Sequence, residues 1–300
     1  MTTSNRFTAH PVGCLIGASF LYGIIPSFVK LATQVSGIPA YLFLSNAVAF
    51  LLGNLVLAVR RVSPKVEGVV LKDVLLFGCL STLGTSSLLT LSYQYISIGV
   101  ATTIHFAYPV LVMAAMAALF REKLSMAKIA AILCALAGVV LIAGPGGGFA
   151  GKGPLLGILF ALASSVTYGV FVIANDKSAF AKLDPFVLFF YLSGVSAAVF
   201  GAFALFTNSL SLVPSPVPYL MALCQQGCNM GAVVLFAFGV RVTGASTGAA
   251  INMLEPAVSL LSGILIFHDL LTPSALAGCG LILLSLLSVS RKGKDAPSDR

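Results

Sequence analysis

Two apolar stretches of this chain each carry a pair of polar residues directly before a proline. In one stretch the pair is His105 and Tyr108, and in the other it is Asn252 and Glu255. A spacing of three places both members of a pair on the same face of a helix. The proline leaves a carbonyl one turn earlier without its usual partner and bends the helix. Such a face could hold a proton or the ammonium group of a small molecule.

A structural role for these polar residues stays open beside the functional one. A charged Glu in the middle of a bilayer costs about 3 kcal/mol, so Glu255 must face a cavity, pair with a partner or stay protonated. In its neutral form it could instead satisfy the carbonyl that the proline frees. His105 could likewise be a hydrogen-bonded packing residue, and Asn252 could bond a neighbouring helix.

The composition places the chain among membrane proteins. Of its 300 residues, 58% are hydrophobic and 9% are charged, and the mean hydropathy is +1.04. A soluble domain carries about 25% charged residues. We therefore predict an all-α, polytopic membrane protein whose partner is the lipid bilayer. The net charge of +8 comes from basic residues near predicted loops, so it does not indicate nucleic-acid binding.

Ten apolar segments near the roughly 20 residues needed to cross a bilayer are predicted. They are Pro11–Leu31, Ile38–Val59, Val74–Tyr95, Ile98–Phe120, Ala127–Gly144, Leu155–Ala174, Pro185–Phe206, Val217–Val240, Ala245–Phe267 and Pro273–Ser290. The six cysteines all fall inside these segments, where we expect them to pack in the core. No metal site and no cofactor is predicted.

The distribution of basic residues predicts the orientation. Ten spans put 15 of the 17 Lys and Arg residues on one side of the membrane. The other side holds only Lys30 and Lys152. By the positive-inside rule, both termini are expected in the cytoplasm, and the protein is expected in the cell (inner) membrane.

The chain also repeats itself. Residues 103–112 align with 250–259, and residues 21–30 align with 167–176 at an offset shorter by one residue. The predicted organisation is one five-span repeat at 12–143, a Gly-rich linker at 144–154, a second five-span repeat at 155–290 and a cytoplasmic tail at 291–300. Because five is odd, the halves must enter the membrane from opposite sides. Inverted repeats are typical of secondary transporters, whose substrate site lies near the midplane between the halves.

Other polar and aromatic residues fall at a comparable depth, although helix packing is an alternative role for each. With the two pairs above, they complete the predicted substrate-binding cavity: Tyr22, Asn46, Thr82, Ser86, His105, Tyr108, Tyr168, Tyr191, Gln226, Asn229, Asn252 and Glu255. Tyr41 and Tyr219 lie at span ends and are predicted to be anchors at the membrane interface. Lys30, near the external end of the first span, either snorkels or lines the outer mouth.

Residues 108–142 and 255–286 resemble the EamA repeat of the drug/metabolite transporter superfamily. Each begins at the residue before the proline and carries an acidic residue ahead of the last span. The resemblance covers about residues 12–290 and is closest to the YddG-type exporters of aromatic amino acids and paraquat. It implies a ten-helix carrier that exports amino acids, metabolites or toxic organic cations. Glu commonly precedes this proline in the family, which raises the weight of a structural role for Glu255.

The predicted function is export of a small metabolite from the cytoplasm by alternating access. No Lys or Arg lies deep in a span, which argues against phosphate-bearing substrates. Tyrosines, amides and one carboxylate suit an amino acid with an apolar or aromatic side chain, or an organic cation in a multidrug exporter. Protons are a candidate coupling ion, and a monomer is expected. A channel or scramblase-like pore is a different-class alternative. An intramembrane hydrolase is disfavoured because His105 has no evident nucleophilic serine nearby in the sequence.

Overall fold

The computed structural model describes residues 11–121, 126–143, 153–212, 215–243, 251–252 and 254–292. Every regular element in these ranges is helical. The α-helices are α1 (Pro11–Ser36), α2 (Ile38–Arg60), α3 (Gly68–Asp73), α4 (Leu80–Ser92), α5 (Ile98–His105), α6 (Tyr108–Phe120), α7 (Met126–Ala143), α8 (Pro154–Lys177), α9 (Pro185–Phe206), α10 (Val217–Thr243), α11 (Leu254–Phe267) and α12 (Pro273–Lys292). The π-helix Val74–Cys79 joins α3 to α4, and two 3-10 turns follow α8 and α9.

The lengths and composition of these helices confirm a multi-pass membrane protein. Seven segments of the described chain are long and apolar enough to cross a bilayer. They are Pro11–Ser36, Ile38–Arg60, Gly68–Ser92, Ile98–Leu119, Pro154–Asn175, Pro185–Phe206 and Val217–Phe236. Helix α11 and residues Pro273–Leu284 are shorter apolar helices. Most of the predicted linker and residues 245–250 of the predicted ninth span lie outside the described residues.

The predicted third span starts earlier in the structure. The helix begins at Gly68 rather than at Val74 and takes in the charged residues Lys72 and Asp73. These charges are tolerated because they lie at the end of the segment. The Asp73 carboxylate accepts a hydrogen bond of 2.8 Å from the backbone N–H of Ala179, and this hydrogen bond is exposed at the surface.

The predicted fourth span is interrupted, whereas the sequence predicted one bent helix. Helix α5 ends at His105 and α6 begins at Tyr108. Pro109 has no N–H to donate, so the series of backbone hydrogen bonds along the helix is interrupted at this residue. The backbone N–H of Ala107 turns instead to the carbonyl of Ile104, at 3.0 Å. The break places the polar pair of the first half at the two helix ends that meet there.

The outer surface of the bundle is apolar. Leu51, Leu55, Phe206 and Leu265 are each at least 59% exposed. In a soluble protein such side chains would be buried, but lipid is as apolar as they are. The exposed leucines and phenylalanines of the spanning helices therefore face the acyl chains.

The main helix contacts join the first half of the chain to the second. Helix α1 packs on α10, α2 on α9, α4 on α8, α5 on α11 and α7 on α12. The interface between the halves is therefore the core of the molecule. Its largest buried cluster draws residues such as Val29, Ile104, Ile158 and Ile282 from both halves.

Polar contacts define the two ends of the bundle. At one end, called the Lys30 face, Lys30 contacts Asp269, and Gln94 Nε2 donates to Thr33 Oγ1 at 3.4 Å. At the other end, called the Arg60 face, Arg60 contacts Asp184.

Helices α1 and α8 begin the two halves and run in opposite directions. Helix α1 ends at the Lys30 face, where Lys30 contacts Asp269. Helix α8 begins at the same face, because Gly153, the residue before it, packs against Tyr95, which adjoins Gln94. It ends towards the Arg60 face, at the turn that starts with Ala179.

Candidate functional site

A cavity of about 290 Å³, lined by apolar side chains and by neutral amides and hydroxyls, lies between the halves. Helices α1, α2, α4, α9 and α10 supply its walls. Five residues predicted for the substrate site line it together: Asn46, Thr82, Ser86, Gln226 and Asn229. Further hydroxyls come from Thr85, Thr90 and Ser193, and none of the described lining residues carries a charge.

A chain of hydrogen bonds holds the amide side of this cavity in place. The hydroxyls of Tyr41 and Ser45 both donate to Gln225 Oε1, the latter at 3.0 Å. Gln226 Nε2 donates to Ser45 Oγ at 2.9 Å, and Asn229 Nδ2 lies 3.5 Å from Gln226 Oε1. Helices α2 and α10 are thereby fixed to each other across the interface. The same bonds fix the orientation of the Gln225 and Gln226 amides, which line the cavity.

The prediction that Tyr41 is an interface anchor is wrong. Tyr41 is completely buried and lines the cavity, whereas Tyr219 is 48% exposed. Proximity to the span end suggested an anchor, but Tyr41 and Ser45 are four residues apart and share a helix face. That spacing was the signal in the sequence that could have identified Tyr41.

Aromatic rings form a second group beside the break between α5 and α6. The Tyr108 and Tyr168 rings meet edge to face, with centroids 4.6 Å apart. The His105 ring lies 5.9 Å from Tyr108 and 5.3 Å from Tyr168. These three predicted site residues are therefore in contact. The cluster continues through Phe106 on one side and Phe171 on the other.

His105 has a serine partner that the sequence did not suggest. Its Nδ1 lies 3.0 Å from Ser164 Oγ, and both residues are buried. The Ser164 hydroxyl donates its proton to the carbonyl of Ala161 at 2.7 Å, so the geometry assigns the Nδ1 proton to His105. A nucleophilic serine must give its proton to the imidazole. This contact therefore joins two helices and does not activate a nucleophile.

Two serines bond the backbone at the two proline sites in the same way. Ser165 Oγ lies 2.9 Å from the carbonyl of Ile104 and 3.0 Å from that of His105. Ser19 Oγ lies 3.2 Å from the carbonyl of Ile251. The repeat alignment makes Ser19 equivalent to Ser165, and Ile251 equivalent to Ile104. Each hydroxyl also lies close to a carbonyl of its own helix, Leu15 at 3.0 Å for Ser19 and Ala161 at 3.1 Å for Ser165, so its one proton is shared between that helix and the carbonyls near the opposite proline.

These serines were missed in the sequence because a hydroxyl in an apolar helix usually bonds its own helix. The available signal was the repeat itself. Ser19 and Ser165 each lie three residues before a Tyr-Gly pair, in "SFLYG" and "SVTYG".

Glu255 lies at the start of α11, against α1. It accepts a hydrogen bond from Asn252 Nδ2 at 3.3 Å, so this predicted pair is in contact. Tyr22 and three further tyrosine hydroxyls, those of Tyr93, Tyr108 and Tyr168, lie within electrostatic range of its carboxylate. The backbone comes close as well, because a Cβ added to Gly23 would lie 2.8 Å from the Glu255 carbonyl.

The predicted site residues thus form two groups, and Tyr191 belongs to neither. The cavity group is the five residues that line the 290 Å³ cavity, and the aromatic–carboxylate group is Tyr22, His105, Tyr108, Tyr168, Asn252 and Glu255. The two groups meet at Tyr93, which lines the cavity and lies within electrostatic range of Glu255. The hydrogen bond between Thr85 and Thr167, at 2.9 Å, also joins them. Tyr191 lies apart, because its hydroxyl donates to the carbonyl of Pro64 at 2.8 Å, beyond the end of α2.

Comparison with known proteins gives consistent matches. The sequence pattern of the EamA-like transporter family matches residues 11–144 and 155–291. An uncharacterized transporter of Archaeoglobus fulgidus is 27% identical over 216 residues, which cover 68% of this chain and 72% of the relative. The uncharacterized transporter YvbV of Bacillus subtilis is 25% identical over 207 residues, covering 68% of this chain and 67% of the relative.

A solved crystal structure shares the fold. It superposes with a TM-score of 0.62 at 22% sequence identity, covering 96% of this chain and 99% of the other. The family pattern, the relatives and the apolar helices all indicate transport across a membrane rather than enzymatic catalysis. The chain belongs to the EamA-like transporter family.

Proposed function

We propose that this protein is a secondary-type carrier that exports a small amino acid-like metabolite from the cytoplasm by alternating access. The observation that carries the proposal is the neutral, hydrogen-bonded cavity between the halves. Its described lining offers amides and hydroxyls, which recognise polar groups without trapping an ion. A phosphate-bearing substrate would need buried cations there.

A ten-span architecture with two inverted halves is part of this proposal. The opposite directions of α1 and α8 support it, as does the matched bonding of Ser19 and Ser165. The helix pairing supports it too, since a two-fold relation that pairs α1 with α10 also pairs α8 with α4. In inverted repeats the substrate site lies where the halves meet, which is where the cavity lies.

Ion pairs at both faces favour a carrier over an open pore. Lys30 and Asp269 are 3.5 Å apart at one face, and Arg60 and Asp184 are 3.5 Å apart at the other. The cavity lies between these two contacts. Each pair joins one half to the other, so opening one face requires separating only one of them. A pore would need both faces open together.

The size of the cavity favours amino acids over larger compounds. At about 290 Å³ it is at the small end of ligand sites, which typically enclose about 300–1,000 Å³. The tyrosine and histidine rings beside it suit an apolar or aromatic side chain. Glu255, with four tyrosines in range, supports an alternative in which the substrate is an organic cation.

The orientation completes the proposal. The Arg60 face carries Arg60, Arg61 and Lys65, and it is the face on which basic residues concentrate. The positive-inside rule therefore places this face in the cytoplasm, with both termini, and the Lys30 face outside. For a bacterial chain the membrane would be the inner one.

Counterflow in proteoliposomes tests the proposed function. Vesicles are loaded with one unlabelled compound, and uptake of its labelled form is followed for a panel of amino acids and organic cations. A carrier should show saturable uptake that the internal load accelerates transiently. Aromatic or apolar amino acids should compete best. Linear flux without counterflow would favour a pore, and competition by organic cations alone would favour the multidrug alternative.

A further inference from the structure

A second cavity, of about 490 Å³, lies at the Lys30 face. We call it the outer vestibule. Its described lining includes Lys30, Gln34, Gln94, His268 and Asp269, so it is more polar than the cavity between the halves. Tyr93 lines both cavities, so the two share a wall there.

The ion pair of the outer vestibule is incompletely bonded. Lys30 Nζ lies 3.5 Å from Asp269 Oδ1, which is long for a charged hydrogen bond. Its ammonium group also lies 4.4 Å from the centroid of the Phe267 ring. Within the described residues, Asp269 Oδ2 has no hydrogen-bond partner, and it is buried against Gly263, where an added Cβ would lie 2.8 Å from it. An ammonium has three donors and a carboxylate oxygen two acceptor positions, so Lys30 Nζ and Asp269 Oδ1 have bonding capacity left.

Both side chains are nevertheless largely withdrawn from solvent. Lys30 is 15% exposed and Asp269 is 16% exposed. Charges held out of water with few bonds are costly, and a partner of opposite charge lowers that cost. One cation and one anion, 3.5 Å apart on a cavity wall, complement a molecule that carries both charges close together.

We propose that the outer vestibule binds the α-ammonium and α-carboxylate groups of a zwitterionic amino acid. The carboxylate pairs with Lys30 and the ammonium pairs with Asp269, so the ligand separates the two residues as it binds. Gln34 and Gln94 supply neutral hydrogen bonds beside them. This inference rests on the proposed amino acid export and adds a release site outside the cavity. Binding there also opens the contact that closes the Lys30 face.

The Arg60 face provides a matched comparison. Arg60 lies 3.5 Å from Asp184 and 4.6 Å from the centroid of the Phe186 ring, the same combination of groups. These side chains are 44% and 33% exposed, and neither lines the outer vestibule. Asp184 Oδ1 also caps α9 by accepting from the Phe186 N–H at 2.8 Å. This pair should hold helices together without selecting a ligand.

The test compares three ligands on the full-length protein in lipid nanodiscs. Calorimetry measures the binding of phenylalanine, of phenethylamine, which lacks the carboxylate, and of 3-phenylpropionate, which lacks the ammonium. Wild type should prefer phenylalanine to either analogue. Lys30→Gln should weaken phenylalanine about tenfold and erase its advantage over phenethylamine. Asp269→Asn should erase the advantage over 3-phenylpropionate instead.

Three controls keep the result decisive. Arg60→Gln and Asp184→Asn should leave both preferences unchanged. The double variant Lys30→Gln/Asp269→Asn leaves no unpaired charge, so it should fold even where a single variant does not, and it should lose both preferences. Unchanged preferences in the Lys30 and Asp269 variants would overturn the vestibule site.

Wild-type counterflow of phenylalanine, run in parallel, separates this inference from the proposed function. Transport with unchanged preferences overturns only the vestibule site. The expected preferences without transport support the site and overturn the export of this amino acid. Absence of zwitterion binding by wild type overturns both.

Discussion

At the scale of single residues, the main question is why a carboxylate, that of Glu255, lies within an apolar part of the chain. It receives one hydrogen bond, of 3.3 Å, from Asn252, and it lies within range of the Tyr22 and Tyr168 hydroxyls. The carbonyl that Pro256 frees is that of Asn252, whereas the Ser19 hydroxyl lies 3.2 Å from the carbonyl of Ile251. The tyrosine-rich surroundings of the carboxylate favour a role in binding an ammonium group or a proton.

Replacing Glu255 with Gln tests that role. The substitution keeps the shape and the hydrogen-bonding reach and removes only the ability to carry charge. We expect counterflow to fall at least about tenfold, with insertion and monodispersity unchanged, because a charged contact is worth roughly 1.5–3 kcal/mol. Glu255→Leu should likewise insert normally and fail to transport. Wild-type transport by the Gln variant would make Glu255 a packing residue.

Tyr41→Phe tests the hydrogen-bond chain of the cavity between the halves. It removes one donor to Oε1 of the half-buried Gln225 while Ser45 continues to donate. The loss should cost about 1 kcal/mol and reduce apparent substrate affinity several-fold. Melting temperature and the concentration dependence of counterflow measure the two effects. Tyr219→Phe is the matched control, since Tyr219 is exposed and its change should alter neither. Equal behaviour of the two variants would contradict the assignment of Tyr41.

At the scale of elements, close approach of helices decides where the site residues lie. Helix α1 presses against α11 so tightly that Gly23 has no room for a side chain. An added Cβ would lie 2.5 Å from Val258 Cβ. Ser259 Oγ also donates to the Gly23 carbonyl at 2.8 Å. This contact sets the position of Glu255 relative to Tyr22.

A pair of glycine substitutions tests this contact. Gly23→Ala should force α1 and α11 apart, costing about 1–3 kcal/mol and impairing transport. Gly227→Ala, in α10, has nothing within 4 Å of the added methyl group and should leave stability unchanged or slightly higher. Thermal unfolding in detergent, with counterflow beside it, measures both. A stable, active Gly23→Ala variant would show that the interface yields more easily than its distances indicate.

At the scale of the whole molecule, the charge distribution and the helix directions support the proposed ten-span topology with both termini in the cytoplasm. A reporter that is active only in the cytoplasm, fused to the C-terminus, should be active. The same reporter inserted in the 144–153 segment should be silent, because the proposed ten-span arrangement puts that segment outside. An inactive C-terminal reporter on a well-expressed fusion would contradict the ten-span, inverted arrangement.

Much of this architecture followed from the sequence because membranes constrain it strongly. In lipid every backbone group must be bonded internally, so apolar segments of about 20 residues are helices. The basic residues and the internal repeat predicted the orientation and the two halves from the chain alone. The grouping of His105 with Tyr108, and of Asn252 with Glu255, followed from helix periodicity.

Only the tertiary structure decided which polar residues meet across the halves. The donors from Ser19 and Ser165, the buried position of Tyr41 and the pairing of Lys30 with Asp269 all join residues far apart in the chain. Helix periodicity assigns a face to each residue but says nothing about the neighbour that the face meets. That choice depends on how two helices approach and rotate against each other, which small residues such as Gly23 permit at one place and larger ones prevent elsewhere.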